Sequence, residues 1–316
     1  MTQVQPSMES STKHSPAADK LVGIVTVLYN SDDVLDGFFA SLATQSNVRL
    51  HLYVIDNGAT PSGTEIAREL AVRHGIAADF VFNNANVGVA RGNNQGIELA
   101  LRDGCTHVLL ANNDTEFASD TISKLVDALV DGERVATPKI TYHGTDSLIW
   151  FGGGAISPWT ALVPHFGMLE RDNGQCDGPR HTDYAPTCFM LLEASVLRQV
   201  GRMDERYFVY YDDADFVWRM SQQNLRIRYV ANSIVEHKVS TSTGGADSPF
   251  TVYWTNRNRI YFIRKNFRGL RRLFALTYAL STRLLRVVSM RGPLARRMCA
   301  GMWDGFRLPL REARPR

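Results

Sequence analysis

From Leu21 onward, short apolar runs alternate with longer stretches whose apolar positions recur every three or four residues. LVGIVTVLY (21–29) is short and β-branched and reads as a strand. In DDVLDGFFASLAT (32–44), Val34, Leu35, Phe38, Phe39 and Leu42 fall on one helical face, with Ser31 or Asp32 as N-cap. RLHLYVID (49–56), ADFVF (78–82), HVLLA (107–111) and VATPKI (135–140) read as further strands. Between them lie helical patterns at 62–75 and within 89–104, closed by Gly75 and Gly104, and at 118–132. After Ile140 the alternation stops. Residues 142–190 are rich in Gly, Pro and aromatics, with strand-like pieces at 148–151 and 184–192. Helical signals return at 194–200 and 213–223, and residues 250–290 are helical and rich in Arg.

Strict βαβα alternation predicts an α/β protein with a Rossmann-like, mostly parallel central sheet flanked by helices, followed by a C-terminal helical extension. Ligands of such sheets bind beyond the carboxyl ends of the strands. Those ends read Tyr29-Asn30, Asp56-Asn57-Gly58, Asn83-Asn84-Ala85-Asn86 and Asn112-Asn113-Asp114. Each offers side chains able to hydrogen-bond a polar ligand or hold a cation.

The chain has 316 residues, 44% hydrophobic and 21% charged, which excludes disordered and collagen-like chains. The first 20 residues read as a disordered polar leader without the apolar core of a signal peptide. Around Leu270–Met290 the longest apolar stretch is broken by Arg271, Arg272, Arg283 and Arg286, so it does not read as a spanning helix. Cys105, Cys176, Cys188 and Cys299 show no CxxC spacing and read as reduced thiols of a cytoplasmic protein. The net charge of +3 conceals an asymmetry, because residues 253–316 carry 16 Lys and Arg against Asp304 and Glu312. An acidic body with a basic tail points to an anionic partner. The tail carries no recognised nucleic-acid module, and the acidic body opposes a broad phosphate footprint, so no nucleic acid is expected.

Four places could carry chemistry. Asn112-Asn113-Asp114 follows a strand, where a carboxylate can hold Mg²⁺ or Mn²⁺ on a diphosphate; it would equally serve as a turn. In the segment from Asn86 to Gly96, Gly88 and Gly92 permit close backbone approach, the helix start favours an anion, and Arg91 can add a phosphate contact. Asp212, Asp213 and Asp215 cluster between YFVYY and FVWRM, and crowding of carboxylates raises the pKa of at least one, as suits a general base. Capping of a helix dipole accounts for one or two of these acids. His237 stands alone and by itself reads as structural.

VTVLYN, VIDNGAT, NANVGVARGNNQG, LLANNDT, GRMDERYFVYYDDADFVWRM and EHKVSTSTGG occur in that order. With these motifs, over roughly residues 21–265, the chain resembles inverting family 2 glycosyltransferases of GT-A fold. The similarity is greatest to bacterial rhamnosyltransferases and related galactofuranosyltransferases of surface polysaccharide synthesis. The resemblance implies that Asp56 bonds the donor's pyrimidine and that Asn86, Gly88, Arg91 and Gly92 line the nucleotide site. It implies that Asn112, Asn113 and Asp114 occupy the place of a D-x-D motif, with Asp114 as metal ligand and His237 completing the metal shell. Asp213 matches the catalytic base, leaving Asp212 and Asp215 as alternatives or substrate contacts. The chain departs from the pattern in having Asn at 112 and 113, and Asp rather than Glu at 212.

The implied donor is a nucleoside diphosphate-sugar, dTDP-L-rhamnose first and UDP-galactofuranose as an alternative. A saccharide or a lipid-diphosphate-linked saccharide would be the acceptor, and a divalent cation the cofactor. A non-catalytic nucleotide-sugar or polyanion binder is the competing reading. The domain reading is a catalytic domain over 21–250, with a nucleotide-sugar half (21–140) and an acceptor half (141–250), then a basic helical region over 251–316. Twelve apolar residues from Ile260 to Val288 recur near helical spacing among arginines, which predicts peripheral docking on the inner face of the cytoplasmic membrane. Packing on the body, or a homodimer through these helices, is the alternative.

Overall fold

Buried apolar runs set the centre of the sheet. β1 (Leu21–Leu28) and β2 (Arg49–Asp56) pair in parallel from Leu21↔Arg49 to Leu28↔Asp56. β3 (Ala78–Phe82) adds to β2, and β4 (His107–Ala111), every residue of it buried, adds to β1. A strand that is apolar on both sides must be covered on both sides. Helices α1 (Leu35–Ala43), α2 (Ser62–His74) and α3 (Val89–Arg102) provide that cover, and Phe38, Phe39, Ala67, Ile97 and Ala100 join the core. This computed structural model describes residues 20–178, 180–239, 247–290 and 292–310. The polar leader before Lys20, the 240–246 end of EHKVSTSTGG, the side chain of Val288 and the bases beyond 310 lie outside the described residues.

The remaining strands are β5 (Thr115–Phe117), β6 (Val135–Tyr142), β7 (Ile149–Phe151), β8 (His181–Thr182), β9 (Phe189–Glu193) and β10 (Ile227–His237). The sheet runs β3-β2-β1-β4-β9-β6-β10-β5, with β7 on β6 and β8 on β10. The expected α/β class forms, with β1 to β4 paired in parallel. Beyond β4 the sheet is mixed, because β9 runs antiparallel to both β4 and β6. Strand order reverses between β1 and β4, which places the crevice at the ends of those two strands.

Two local expectations change. The fourth helix, α4, covers only Thr121–Asp127 rather than 118–132: 118–120 form the turn that leaves β5, with the Ser119 carbonyl accepting from the Ser46 amide, and the chain turns again after Ala128. The Arg-rich end is three helices: α7 (Pro249–Asn266), α8 (Gly269–Ser289) and α9 (Gly292–Arg307). Ile260, Phe262, Ile263 and Phe267 are buried in the core rather than continuing the exposed apolar stripe of α8. α7 is thus part of the catalytic body's packing, and α9 lies close upon it. A Cβ on Gly301 would sit 2.4 Å from the Tyr253 carbonyl oxygen. All four cysteines are free thiols, as the spacing implied.

Candidate active site

At the end of β4 the chain turns through Asn112-Asn113-Asp114 into β5. Asn113 Nδ2 donates to the Val27 carbonyl at 3.1 Å and to Ser31 Oγ at 3.0 Å, fastening this turn to the end of β1. Ser31 thereby braces the turn instead of capping the first helix, where it makes no cap bond. Asn112 is exposed. The Asp114 carboxylate is buried, with Oδ1 3.1 Å from His237 Nε2. The β5–β10 register makes that pair, since it sets His237 opposite Thr115, next to Asp114 in the chain. The His237 ring stands edge-on to Trp150, and its Nδ1 is buried with no hydrogen-bond partner among the described residues.

The acid cluster opens α6 (Asp212–Ser221). Just before it, Phe208, Tyr210 and Tyr211 all have φ near +64°, in the left-handed region that side chains with a Cβ disfavour. Such strain costs about 1–3 kcal/mol per residue and persists only where the surroundings impose it. Here Asn258 of α7, fully buried, donates through Nδ2 to the carbonyls of Tyr207, Val209 and Tyr210.

The three acids then separate by environment. Asp215 is fully buried and accepts from Tyr207 Oη, Asn266 Nδ2, Arg219 Nε and Lys265 Nζ. A carboxylate offers about four lone-pair sites, so none is left for substrate. Asp215 is a packing hub between α6 and α7, not a base or a substrate contact. Asp212 is buried, and burial followed by the adjacent Asp213 charge pushes its carboxyl up to about 8. Asp213 is partly open. Burial raises its carboxyl, against which Tyr184 Oη donates to Oδ2 at 2.5 Å and the Ala214 amide to Oδ1 at 2.6 Å. Two adjacent carboxyls in such a place titrate as a pair, with the proton favoured on the deeper one.

Side chains join this acid to the Asp114–His237 pair. Trp150 stands edge-on to both His237 and His165, with ring centroids 4.8 and 4.7 Å apart. His165 stacks on Tyr184, which holds Asp213. Burial, and then the charges of Asp114 and Asp213, push the Cys188 thiol well above its usual value. A continuous run of side-chain contacts, His237–Trp150–His165–Tyr184–Asp213, links the two carboxylates.

In the nucleotide half the residues are more occupied than their polarity suggested. Asp56 is buried; Oδ1 accepts from the Gly58 amide, and Oδ2 from the Thr64 amide and hydroxyl at 2.9 and 2.7 Å. Three bonds leave one lone pair for a donor base. Asn83 donates to Asn57 and exchanges bonds with Gln95, knitting the ends of β2 and β3 to α3 rather than opening toward a ligand. Asn86 is exposed and accepts from the Gly88 amide. Gly88 (φ +87°) is required by the protein's own backbone, since a Cβ there would lie 2.7 Å from the Phe208 carbonyl oxygen. That oxygen also accepts from the Val89 amide at the start of α3. Gly92 lets α3 close onto Val27 of β1. The space at both glycines is thus filled by protein, not held open for phosphate. Arg91 is exposed, 4.0 Å from Glu205.

The pattern reading missed Tyr184 and Asn258. Tyr184 begins the strand-like piece at 184–192, of which only Phe189–Glu193 forms a strand, and Asn258 lies in the Arg-rich helical stretch with nothing to mark it.

The sequence profile described as Glycosyl transferase family 2 matches residues 23–201, more than half of the chain. An N-acetylglucosaminyl-diphospho-decaprenol L-rhamnosyltransferase of Mycobacterium tuberculosis is 28% identical over 249 residues, 70% of this chain and 77% of the relative. A galactofuranosyltransferase of the same organism is 24% identical over 90% of this chain and 92% of its own length. Among solved structures, a mannosyltransferase from Pyrobaculum calidifontis in complex with GDP-Man and Mn²⁺ superposes with a TM-score of 0.56 at 14% identity, over 93% of this chain and 81% of that one. With the parallel half-sheet, its crevice between β1 and β4 and the mixed second half, these matches make the chain a member of glycosyltransferase family 2, a glycosyltransferase of GT-A fold.

Proposed function

We propose that the protein is an inverting transferase that moves a hexosyl group, L-rhamnose from dTDP-L-rhamnose, onto a saccharide or lipid-diphosphate-linked saccharide of a bacterial surface polysaccharide. The observation that carries the reaction is a partly open carboxylate, Asp213, oriented by Tyr184 and linked through Tyr184, His165 and Trp150 to the Asp114–His237 pair. Asp213 takes the proton of the acceptor hydroxyl as that oxygen bonds the anomeric carbon. The bond from this carbon to the diphosphate breaks on the opposite face, which inverts the centre. Asp213 and the whole of α6 lie beyond the matched residues 23–201, so this role is supported by the motif resemblance and by the surroundings of the carboxylate.

Asp114 and His237 fit a cation carried in by substrate. Among the described residues no three His, Cys, Asp or Glu side chains converge to hold an ion unaided. A Mg²⁺-like ion is commonly held by one or two protein groups plus substrate phosphates and water. The buried Nδ1 of His237, lacking a hydrogen-bond partner among the described residues, is consistent with a ring that turns to ligate. Bound there, the cation would neutralise charge developing on the departing diphosphate. Asp56 would hold the donor base with its remaining lone pair, and Asn86, Asn112 and Arg91, exposed near the strand ends, would meet ribose and phosphates.

The name of the 28% identical relative supports rhamnose, and the galactofuranosyltransferase keeps UDP-galactofuranose as the alternative donor. A panel of dTDP-, UDP- and GDP-sugars, incubated with the purified protein with and without Mn²⁺, tests the reading through the nucleoside diphosphate released. Release from dTDP-L-rhamnose is expected to exceed that from the others. Asp213→Asn should lower transfer by about 10²–10⁴-fold while donor affinity stays within a few-fold. A fully active Asp213→Asn protein would remove the assigned base.

A further inference from the structure

α8 carries an outward face that nothing among the described residues covers. Leu270, Leu273, Phe274, Leu280, Leu284 and Leu285 are 40–79% exposed, while Ala275 and Ala279 on the opposite face are buried. Their spacing of three and four residues puts them on one stripe about 22 Å long. Trp159, itself half exposed, extends the stripe: its ring meets Phe274 edge-on at 5.9 Å, and the Arg271 guanidinium lies over it. Arg268, Arg271 and Arg272 mark one end of the helix, and Arg283 and Arg286 the other; α8 contains no Asp or Glu.

We infer that α8 is an interfacial helix, which lies in the headgroup region of an anionic phospholipid bilayer with its leucine stripe immersed. An exposed apolar stripe with Arg268, Arg271 and Arg272 at its N-terminal end has the composition of such a helix, and no helix among the described residues is long and apolar enough to cross a membrane. Charge decides against a second copy of the chain. Pairing α8 with its twin in parallel sets Arg268, Arg271 and Arg272 on their own copies with no acid on the helix to offset them, and antiparallel pairing brings them toward Arg283, which bonds the neutral Asn256, while Arg286 is held by Asp247. An anionic leaflet meets the same charges favourably. The docking itself does not depend on the proposed reaction. It gains a purpose from it, because Trp159 belongs to the loop whose Ala161 carbonyl accepts from Tyr211 Oη, next to Asp212 and Asp213. The apolar surface and the base are thus one loop apart, as a lipid-borne acceptor requires.

Co-sedimentation of the full chain tests this, using vesicles of phosphatidylglycerol with phosphatidylcholine against phosphatidylcholine alone. The protein should pellet with the anionic vesicles at low salt and be released as salt rises. The triple variant Leu273→Ser, Leu284→Ser, Leu285→Ser changes exposed positions only and should keep its melting temperature. It should lose about tenfold or more in vesicle partitioning. Quenching of the wild type by brominated lipid, compared with Trp159→Phe, reads the same contact should the triple variant fold poorly; weaker quenching in Trp159→Phe is expected. A wild type that ignores anionic vesicles, a well-folded triple variant that binds them equally well, or quenching that does not change in Trp159→Phe overturns the inference. So does a dimer in solution that the triple variant turns into a monomer while neither protein binds lipid, which would make a second copy the occupant. Loss of vesicle docking with glycosyl release intact would sink this inference alone; intact docking with no release from any donor would sink only the proposed reaction.

Discussion

A single hydrogen bond separates Asp213 from its neighbours in role. Asp215 has every lone pair taken and Asp212 is shut away, whereas Asp213 keeps an open side and the Tyr184 phenol. Burial raises the Asp213 carboxyl, and a base works only when deprotonated, so transfer should fail as pH drops through a value above the ordinary carboxylate range. The Tyr184 donation stabilises the charged form and opposes that rise. Tyr184→Phe should therefore move the acid limb of the kcat/KM profile to higher pH, with a larger loss of turnover on the acid side than above the limb. A uniform loss at every pH would make Tyr184 merely structural. Asp114→Ala should raise the concentration of Mn²⁺ needed for half-maximal rate or abolish transfer, read from a metal titration of initial rates. Full activity in a chelator would remove Asp114 and His237 from a metal role together.

At the scale of elements, the loop before α6 is held from two sides. Asn258 of α7 collects three of its carbonyls, and the turn into α3 presses Gly88 against Phe208. Removing the amide in Asn258→Ala leaves buried carbonyls without a donor, at about 1–3 kcal/mol of stability. It also lets three left-handed residues relax, so turnover should fall along with the urea midpoint. Gly88→Ala places a methyl 2.6 Å from the Phe208 ring in a backbone that disfavours any Cβ. It should lower the melting temperature by several degrees and reduce turnover, because the displaced loop carries the base. Equal melting temperatures for Gly88→Ala and wild type would show that the two loops move independently. Element reading had real reach here. The strands at 21–28, 49–56, 78–82 and 107–111 and the helices ending at Gly75 and near Gly104 formed where the periodicity put them. β5 escaped it, because three residues have no period and pair only once β10, more than a hundred positions later, comes alongside.

Across the whole molecule, the basic tail divides into parts with opposite duties. α7 is core, α9 clamps it through the close approach at Gly301, and α8 presents its leucine stripe outward. A chain ending at Met290 would lose α9 and expose α7. We expect a lower melting temperature and reduced donor turnover, measured beside the α8 triple variant, which should retain both. The order of the nucleotide half, the crevice at its strand ends, the family and the acid cluster were readable from sequence. Each rests on local periodicity or on motifs of contiguous residues, and short-range patterns survive in any context that buries one face. Which acid is open, what holds it, and which tail helix faces out could not be read that way. What sets Asp213 apart from Asp215 includes partners 29 to 51 positions away in the chain, Tyr184 on the one and Lys265 and Asn266 on the other. Ile260 and Leu284 carry the same apolar signal, yet one is buried and the other bare. Burial is a property of what packs against a side chain, and only the folded arrangement supplies that neighbour.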